Sequence, residues 1–348
     1  MAGGIKRGAL IGCGFFSLNH LHGWQDVRGA QIVAVCDLDS HKAEAVGRDF
    51  GVEAVFTDAE TMLAQTNLDF VDVATTPPSH RALVERVCSH GLAVICQKPI
   101  ADTYEDAKAM VDAARSAGVP FLIHENFRWQ MGFVRIKAEL DAGRIGTPRF
   151  ARLSFRHGFD VYATQPYLAT IERFVLMDLG IHLYDVARHL MGEVDHLACE
   201  TASLRPGVAG EDSFTSLLRH TSGAVSLVDC SFASTIHPEP FPATLAWIEG
   251  DKGTLELTTD LCLRIHTADG KVAESVDPPV PAWGERPWHT IQDSVIRFQS
   301  HVVDVLNGTA DPQPSGRDNL NTLALTLASY DAMQERRMID MAQWQEQQ

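Results

Sequence analysis

The chain has 348 residues, of which 45% are hydrophobic and 21% are charged. This balance is typical of a globular protein with two domains or one large one, and it excludes disorder over most of the chain. The formal net charge is −16, and the densest basic run is only Arg336-Arg337. An acidic surface repels a phosphate backbone, so the composition argues against nucleic-acid binding.

Hydropathy and cysteine content narrow the class of protein further. No apolar stretch approaches the roughly 18 residues of a membrane-spanning helix, and we expect no secretion signal. The seven cysteines are scattered and form no C-x-x-C pair, which argues against a disulfide framework and a thiolate zinc site. We therefore expect a cytoplasmic protein.

The first 125 residues alternate between apolar strands and amphipathic helices. Such repetition with short connections implies a parallel sheet with right-handed crossovers, so we predict a doubly wound, Rossmann-type α/β domain over residues 1–125. The predicted strands are 8–11, 31–36, 70–74, 93–96 and 120–123. The predicted helices are 40–50 with Ser40 as N-cap, one from about Ser79 to His90, and 104–117 between Thr103 and Gly118.

Residues 126–348 have a different pattern, with alternating strands separated by turn residues. This pattern predicts an α+β domain with a mainly antiparallel sheet. The predicted strands are 149–156, 197–204, 213–220, 224–232, 244–249, 254–258 and 262–267. The predicted helices lie near 132–142, 290–307 and 319–334.

A glycine-rich loop follows the first predicted strand. Gly12, Gly14 and Ser17 occupy the three positions of a dinucleotide-binding Gly-x-Gly-x-x-Gly fingerprint, with a serine at the third. Asp37 ends the second strand, near the spacing expected for a carboxylate that binds the adenosine ribose. Because Leu38 and not a cation follows it, NAD is favoured over NADP. The alternative is an ordinary tight turn with Asp37 as a helix cap.

Lys98 lies at the carboxyl end of a buried strand, in the sequence Gln97-Lys98-Pro99. Open α/β sheets bind ligands at this edge, where a lysine can stabilise a developing alkoxide. A solvated lysine at a strand end explains the same pattern equally well.

Asp178 and His182 are four residues apart and share one face if their segment is helical. An aspartate beside an imidazole fixes its tautomer and raises its basicity, which suits a general base in alcohol oxidation. By itself this spacing is more often a contact at a helix start. We expect no metal site, because no cluster with metal-ligand spacing accompanies the pair.

Together these elements resemble the glucose–fructose oxidoreductase / inositol dehydrogenase / MocA family over most of the chain. The resemblance implies a Rossmann domain followed by an α+β domain with a large open sheet, NAD as cofactor, and a homodimer or homotetramer. It is carried by the glycine loop with His20, by Thr75-Thr76-Pro77-Pro78 with His80, by Gln97-Lys98-Pro99, by Asn126-Phe127-Arg128 and by Asp178-x-x-x-His182.

The resemblance also implies roles for individual residues. It makes His182 the proton acceptor, Asp178 its orienting partner and Lys98 the group that polarises the reacting hydroxyl. Implied cofactor-binding residues are Gly12, Gly14, Phe15, Phe16, Asp37, Thr75, Thr76, Pro77, His80, Gln97, Asn126 and Gln165. Implied substrate-binding residues are Lys98, Arg128, His157, Arg173, Asp178 and His182.

Two departures from the family pattern concern the pocket. Gln97 stands where the family usually has glutamate, which removes a charge beside Lys98. The segment 172–177 replaces a glycine-rich run with larger side chains, and Arg173 in it can reach a substrate hydroxyl or carboxylate.

Several short segments of the sequence resemble those of family members that oxidise the branched aldose D-apiose. Those members convert the anomeric carbon to a lactone with NAD. We therefore predict an NAD-dependent sugar dehydrogenase acting on an aldose, with D-apiose as the expected substrate. Xylose, glucose and inositol remain alternatives of the same class. A non-catalytic NAD- and sugar-binding regulator, and a glycosidase that uses NAD transiently, are alternatives of other classes.

Overall fold

The structure is a computed structural model that describes residues 4–163 and 165–348. It divides into two compact units. The first comprises the chain up to Asn126 together with Ser294–Asn321, and the second comprises Phe127–Asp293 together with Thr322–Gln348. The first unit thus includes a late segment, Ser294–Asn321, that is far along the chain from its other residues.

Six parallel strands form the sheet of the first unit. They are β1 (Lys6–Ile11), β2 (Ala30–Cys36), β3 (Ala54–Phe56), β4 (Phe70–Val73), β5 (Ala93–Gln97) and β6 (Phe121–His124). Their order is β3-β2-β1-β4-β5-β6, and every pairing is parallel. All residues of β4, β5 and β6 are buried, as strands covered on both faces should be. The predicted Rossmann-type domain is confirmed.

The helices of this sheet are α1 (Ser17–Asp26), α2 (Ser40–Phe50), α3 (Ala59–Gln65), α4 (Pro77–Ser89) and α5 (Tyr104–Ala117). α5 starts and stops as predicted, because Thr103 accepts the Asp106 N–H and Gly118 adopts a left-handed φ of 68°. The predicted cap Ser40 is wrong, because the Asp39 carboxylate caps α2. α4 starts at Pro77 rather than near Ser79, since proline fits the first helical turn.

The segment Ser294–Asn321 packs in the first unit beside its edge strand. The Gln299 side-chain amide donates to the backbone oxygen of His20 at 2.9 Å. Leu122 of β6 and Ser315 form an isolated antiparallel bridge. The bridge covers β6, which otherwise lies at the sheet edge, and the Gln299 bond ties the segment to α1.

The second unit contains a nine-stranded sheet. Its strands are β7 (Pro148–Arg156), β8 (Val194–Ala202), β9 (Ser213–His220), β10 (Val225–Ser231), β11 (Leu245–Gly250), β12 (Gly253–Leu257), β13 (Cys262–Thr267), β14 (Gly270–Ser275) and β15 (Ile339–Asp340). The order is β14-β13-β12-β11-β7-β10-β9-β8-β15. All described pairings are antiparallel except that of β7 with β10. The predicted mainly antiparallel sheet is confirmed, and β14 and β15 were not predicted.

The two faces of this sheet differ in burial. One row of side chains across neighbouring strands is fully buried: Leu218, Ser226, Ala151 and Ile248. The adjacent row projects from the opposite face: Leu217, Leu227, Arg152 and Trp247. Leu217 and Trp247 keep 41% and 39% exposure, so this second face presents apolar side chains at the surface.

The remaining helices are α6 (Met131–Asp141), α7 (Ile181–Met191), α8 (His289–Leu306), α9 (Gly316–Glu335) and α10 (Met341–Glu346). Short 3₁₀ turns occur at Phe127–Trp129, Val161–Ala163 and Pro166–Thr170. A single π-helical turn, Leu176–Gly180, leads directly into α7. In the part of the chain that the structure describes, no helix combines the length and the apolar character needed to span a membrane.

Candidate active site

The glycine loop connects β1 to α1. Gly12 and Gly14 in this loop are glycines for different physical reasons. Gly12 adopts φ 98°, and a Cβ there would lie 2.8 Å from the backbone of Ala74. A Cβ on Gly14 would meet nothing within 4 Å, so the loop leaves open space at this position. Ser17 closes the turn by donating to the Gly14 oxygen at 2.6 Å. This arrangement fits a pyrophosphate that approaches the backbone of Gly14 at the start of α1.

Asp37 links the end of β2 to the glycine loop. Its carboxylate accepts the Cys13 N–H at 2.7 Å with one oxygen and the Asp39 N–H at 2.9 Å with the other. Each oxygen keeps a further lone pair for a ribose hydroxyl. Leu38 is 93% exposed, so no side chain at that position offsets a 2′-phosphate. Burial, together with the charge of Asp37, raises the pKa of the Cys13 thiol to about 12.

The turn after β4 carries Thr75, Thr76 and Pro77. Thr76 is the residue before α4, and Pro77 occupies the first turn of that helix. The buried ring of His80 lies 3.1 Å from the Thr75 oxygen through Nε2 and 3.1 Å from the Ile100 oxygen through Nδ1. Burial lowers the pKa of His80. His80 therefore ties this turn to the loop after Lys98 and does not point its polar atoms outward.

Lys98 follows β5 and is half-buried. The buried side chain of Gln97 turns back and accepts the backbone N–H of Lys98 at 2.6 Å. Asn126, at the end of the first stretch of this unit, is buried and donates to the Ser294 hydroxyl at 2.7 Å. The structure thus brings the glycine loop, Asp37, the Thr75 turn and Lys98 to one edge, at the carboxyl ends of the parallel strands.

In the second unit, Asp178 lies in the π turn and His182 in the first turn of α7. A π turn changes the angular offset of residues four apart, so Asp178 and His182 are offset differently from a pair on a regular α-helix. The His182 ring stacks on Phe127, with centroids 4.0 Å apart and an angle of 7° between the planes. This stacking fixes the ring plane of His182, and only 4% of the residue is exposed.

Arg128 has a different position from the one expected of a substrate-binding residue. Its guanidinium forms two bonds to Asp185 of α7, at 2.6 and 2.7 Å. Arg128 is 7% exposed and Asp185 is fully buried. The pair anchors α7 one turn after His182, which sequence reasoning did not foresee because Asp185 belongs to no motif.

Glu211 organises the segment that leads into the π turn. Its carboxylate accepts the N–H groups of Leu176 at 3.0 Å and Phe174 at 3.3 Å, and the Tyr330 hydroxyl at 2.8 Å. Burial and the charge of Glu211 raise the pKa of Tyr330. Neither residue was singled out from the sequence, because they lie far from the motif along the chain.

Arg173 and His157 contrast in accessibility. Arg173 is exposed, and its guanidinium carbon lies 5.3 Å from the ring centroid of Tyr330. His157 is 1% exposed and is enclosed by Phe155, Phe232 and Phe241. Burial, with a smaller effect of the charge on Arg205, lowers the pKa of His157 to about 4. Of these two residues, Arg173 is accessible to a ligand and His157 is not.

Gln165 and Tyr167 form a pair in and beside the Pro166–Thr170 turn. The Tyr167 hydroxyl donates to the Gln165 side-chain oxygen at 3.0 Å. Partial burial and the charge of Asp178 raise the pKa of Tyr167, which is 57% exposed. Tyr167 therefore lies within electrostatic reach of Asp178 and adds an accessible hydroxyl to this part of the second unit.

Metal ligation finds no support in the described ranges 4–163 and 165–348, where no group of three or more His, Cys, Asp or Glu residues could hold an ion. All seven cysteines are free thiols, and six of them are buried.

A parallel sheet that ends in a glycine loop, a ribose-type carboxylate and a lysine defines a dinucleotide-binding oxidoreductase domain. Residues 6–125 match the family described as "Oxidoreductase family, NAD-binding Rossmann fold", and residues 133–256 match the "GFO/IDH/MocA C-terminal domain". The chain belongs to the GFO/IDH/MocA oxidoreductase family. The family, the fold class and the NAD cofactor predicted from the sequence are confirmed.

Similar proteins cover nearly the whole chain. A D-apiose dehydrogenase of Paraburkholderia graminis is 51% identical, over 97% of this chain and 90% of the relative. A D-apiose dehydrogenase of Rhizobium rhizogenes is 46% identical, over 96% and 97%. An oxidoreductase from Agrobacterium radiobacter, crystallised with NAD+, L-tartaric acid and magnesium, has a TM-score of 0.95 and 46% identity, over 97% of this chain and 99% of that one.

Proposed function

We propose that the protein is an NAD-dependent sugar dehydrogenase that oxidises D-apiose at its anomeric carbon to the lactone. The observation that carries the choice of sugar is the 51% identity to a D-apiose dehydrogenase over 97% of the chain. The first unit supports NAD as cofactor, because Gly14 leaves room for a pyrophosphate and Asp37 offers acceptors for ribose hydroxyls. When bound, NAD supplies the hydride acceptor.

The chemistry of the step assigns a role to each of three residues. Oxidation removes a hydride from the anomeric C–H and a proton from the hydroxyl on the same carbon, and a C=O bond forms. An imidazole nitrogen of His182 takes the proton, and Asp178 holds that ring in the productive tautomer. The Lys98 ammonium stabilises the partial alkoxide as the proton leaves.

The substrate-binding set is narrower in this proposal than in the sequence prediction. Arg173 is exposed and has a guanidinium suited to sugar hydroxyls. Tyr167 adds a hydroxyl within electrostatic reach of Asp178. Arg128 and His157 act indirectly, Arg128 by anchoring α7 through Asp185 and His157 as part of an aromatic wall.

The test is the initial rate of NADH formation with D-apiose, D-xylose, D-glucose and myo-inositol, each with NAD+ and with NADP+. We expect D-apiose with NAD+ to exceed every other combination. A rate with another sugar only would contradict the proposed substrate. No turnover despite NAD+ binding would favour a regulator. Release of sugar from an added aryl glycoside, without net NADH formation, would favour a glycosidase.

Two variants test the assigned roles in the same assay. Lys98→Ala and His182→Ala should lower kcat by about 10²–10⁴-fold, as loss of a general base or an alkoxide-stabilising group does. The NAD+ dissociation constant should change little. Lys271→Ala on β14 is the matched control, since this lysine is exposed on an edge strand. Wild-type kcat in Lys98→Ala would remove the lysine from the mechanism.

We further propose a cytoplasmic homodimer or homotetramer. The free thiols support a reducing compartment. The exposed apolar side chains of Leu217 and Trp247, in the row that also contains Arg152, support association through the accessible sheet face. Light scattering of the wild type and of Trp247→Glu measures the oligomeric state, and a monomeric wild type would contradict this proposal.

A further inference from the structure

A chain of buried polar groups runs from β4 to the backbone of Lys98. The Asp72 carboxylate lies 2.9 Å from Nδ1 of His20, and both residues are fully buried. Nε2 of His20 lies 3.2 Å from Nε2 of Gln97. The side-chain oxygen of Gln97 accepts the Lys98 N–H at 2.6 Å. Trp24 also donates to the same Asp72 oxygen, at 2.8 Å.

The donor and the acceptor of each hydrogen bond can be assigned by starting from the Lys98 N–H. A backbone N–H can only donate, so the Gln97 atom facing Lys98 is the oxygen, and the amide NH₂ faces His20. An NH₂ group can only donate, so Nε2 of His20 accepts. The imidazole is then neutral, with its proton on Nδ1 and directed at Asp72.

The neighbours of His20 are consistent with a neutral ring. His124 stacks on it with centroids 3.8 Å apart, and two charged imidazoles at that distance would repel each other. Phe16 packs edge-on at 5.6 Å and is apolar. Asp72 and the fully buried thiol of Cys96, whose pKa burial raises well above its usual value, are further titratable groups beside the chain of bonds, which ends at Lys98.

We propose that Asp72 and His20 are positioning residues that act through the Gln97 amide to hold the backbone at Lys98, and that an amide at position 97 is matched to a neutral His20. This inference rests on the proposed catalytic role of Lys98. Asp72 and His20 do not touch the reacting atoms. They fix the strand end from which the Lys98 side chain projects.

The Gln97 amide requires an unprotonated Nε2 on His20. A carboxylate at position 97, introduced by Gln97→Glu, would instead require a proton on that nitrogen. One oxygen of the new carboxylate could still accept the Lys98 N–H, but the other would face the lone pair on Nε2 of His20. That contact becomes favourable only when His20 binds a second proton. Raising the pH removes that proton, leaves a carboxylate against a lone pair, and loosens the strand end at Lys98.

The experiment measures kcat from pH 6 to pH 9.5 with saturating NAD+ and sugar. In Gln97→Glu, kcat should fall with rising pH by about 10–100-fold relative to the wild-type profile, as expected for one charge-assisted bond. In the double variant His20→Gln, Gln97→Glu, the new amide can rotate and donate to the carboxylate. The alkaline loss should therefore disappear in the double variant.

Gln97→Met is the matched control, because methionine has similar length and no hydrogen-bonding amide. It should lower kcat at every pH without adding an alkaline loss. NAD+ affinity and thermal unfolding are measured for each variant. An alkaline loss of the same size in Gln97→Met and Gln97→Glu would overturn the matching of amide and neutral imidazole, and so would a Gln97→Glu profile equal to the wild type.

Nitrogen NMR of ¹⁵N-histidine-labelled protein gives a readout independent of turnover. The His20 signals, assigned by their loss in His20→Gln, should show a neutral Nδ1–H tautomer in the wild type and an imidazolium at pH 6 in Gln97→Glu. An Nε2–H tautomer in the wild type would overturn the bond directions. If Lys98→Ala keeps wild-type kcat, the role of Lys98 and its positioning fail together, while the tautomer still decides the bond directions.

Discussion

The glycine loop of the first unit and the segment 172–182 of the second unit are held in different ways. The loop is fixed mostly by its own backbone, by Ser17 and by Asp37, all within one strand–helix–strand stretch. The segment 172–182 is fixed by Glu211, which binds its backbone, and the helix that follows is fixed by Arg128, which binds Asp185. The nucleotide-binding region is thus encoded by a contiguous motif, whereas the region around Asp178 and His182 depends on dispersed residues.

Arg128→Met is expected to give the largest change in stability. It removes two charge-assisted bonds from the fully buried Asp185 carboxylate, so the free energy of unfolding should fall by about 3–5 kcal/mol. Urea unfolding measures this change, and kcat should fall because α7 carries His182.

Arg81→Met is the control for the removal of a paired guanidinium. Arg81 bonds Glu85 and Asp106, but its side chain is 45% exposed and solvent screens both pairs, so its loss should lower the free energy of unfolding far less than the loss of Arg128. Equal losses of unfolding free energy in Arg128→Met and Arg81→Met would show that the stability contribution of the Arg128–Asp185 pair does not depend on its burial.

Glu211→Gln should have the next largest effect. The amide can accept one of the two backbone N–H groups but places its own NH₂ against the other, so we expect a loss of about 2–3 kcal/mol. Because the π turn follows directly, kcat should fall while the NAD+ dissociation constant stays unchanged.

Tyr330→Phe measures the contribution of the Tyr330 hydroxyl to stability separately from that of the Glu211 carboxylate. It removes only the 2.8 Å bond to Glu211, so the expected loss is about 1 kcal/mol. A Glu211→Gln enzyme with normal kcat would mean that the π turn holds Asp178 and His182 without this anchor.

The sequence predicted those parts of the fold whose signals are local. The helix between Thr103 and Gly118 has a side-chain cap at one end and a left-handed glycine at the other, and both act within a few residues. β14 was not predicted because it is an edge strand whose residues are almost all exposed, which leaves no apolar alternation. The grouping of Ser294–Asn321 with the first unit depends on contacts such as that of Gln299 with His20, which no local pattern encodes.

The same distinction applies to the candidate site. Gly12, Gly14 and Asp37 were recognisable because their spacing follows from the path of the chain around a pyrophosphate and a ribose. Glu211 and Asp185 carry no such spacing, since each acts on a segment at least 35 residues away. The directions of the bonds around Gln97 likewise require the positions of His20 and Asp72, which come from α1 and β4.

The smallest expected change in stability is that of Gly14→Ala, which we compare with Gly12→Ala in the same loop. Gly12→Ala should lower the free energy of unfolding by about 1–2 kcal/mol, because a side chain is strained at φ 98° and would press on Ala74. Gly14→Ala should leave stability unchanged, since its Cβ meets nothing within 4 Å, but should weaken NAD+ binding by about tenfold or more as the methyl group enters the space for the pyrophosphate. Calorimetric titration with NAD+ and urea unfolding on both variants separate the two effects. Unchanged NAD+ affinity in Gly14→Ala would mean that the phosphates do not approach this backbone, and the contiguous motif would then explain the turn but not the binding.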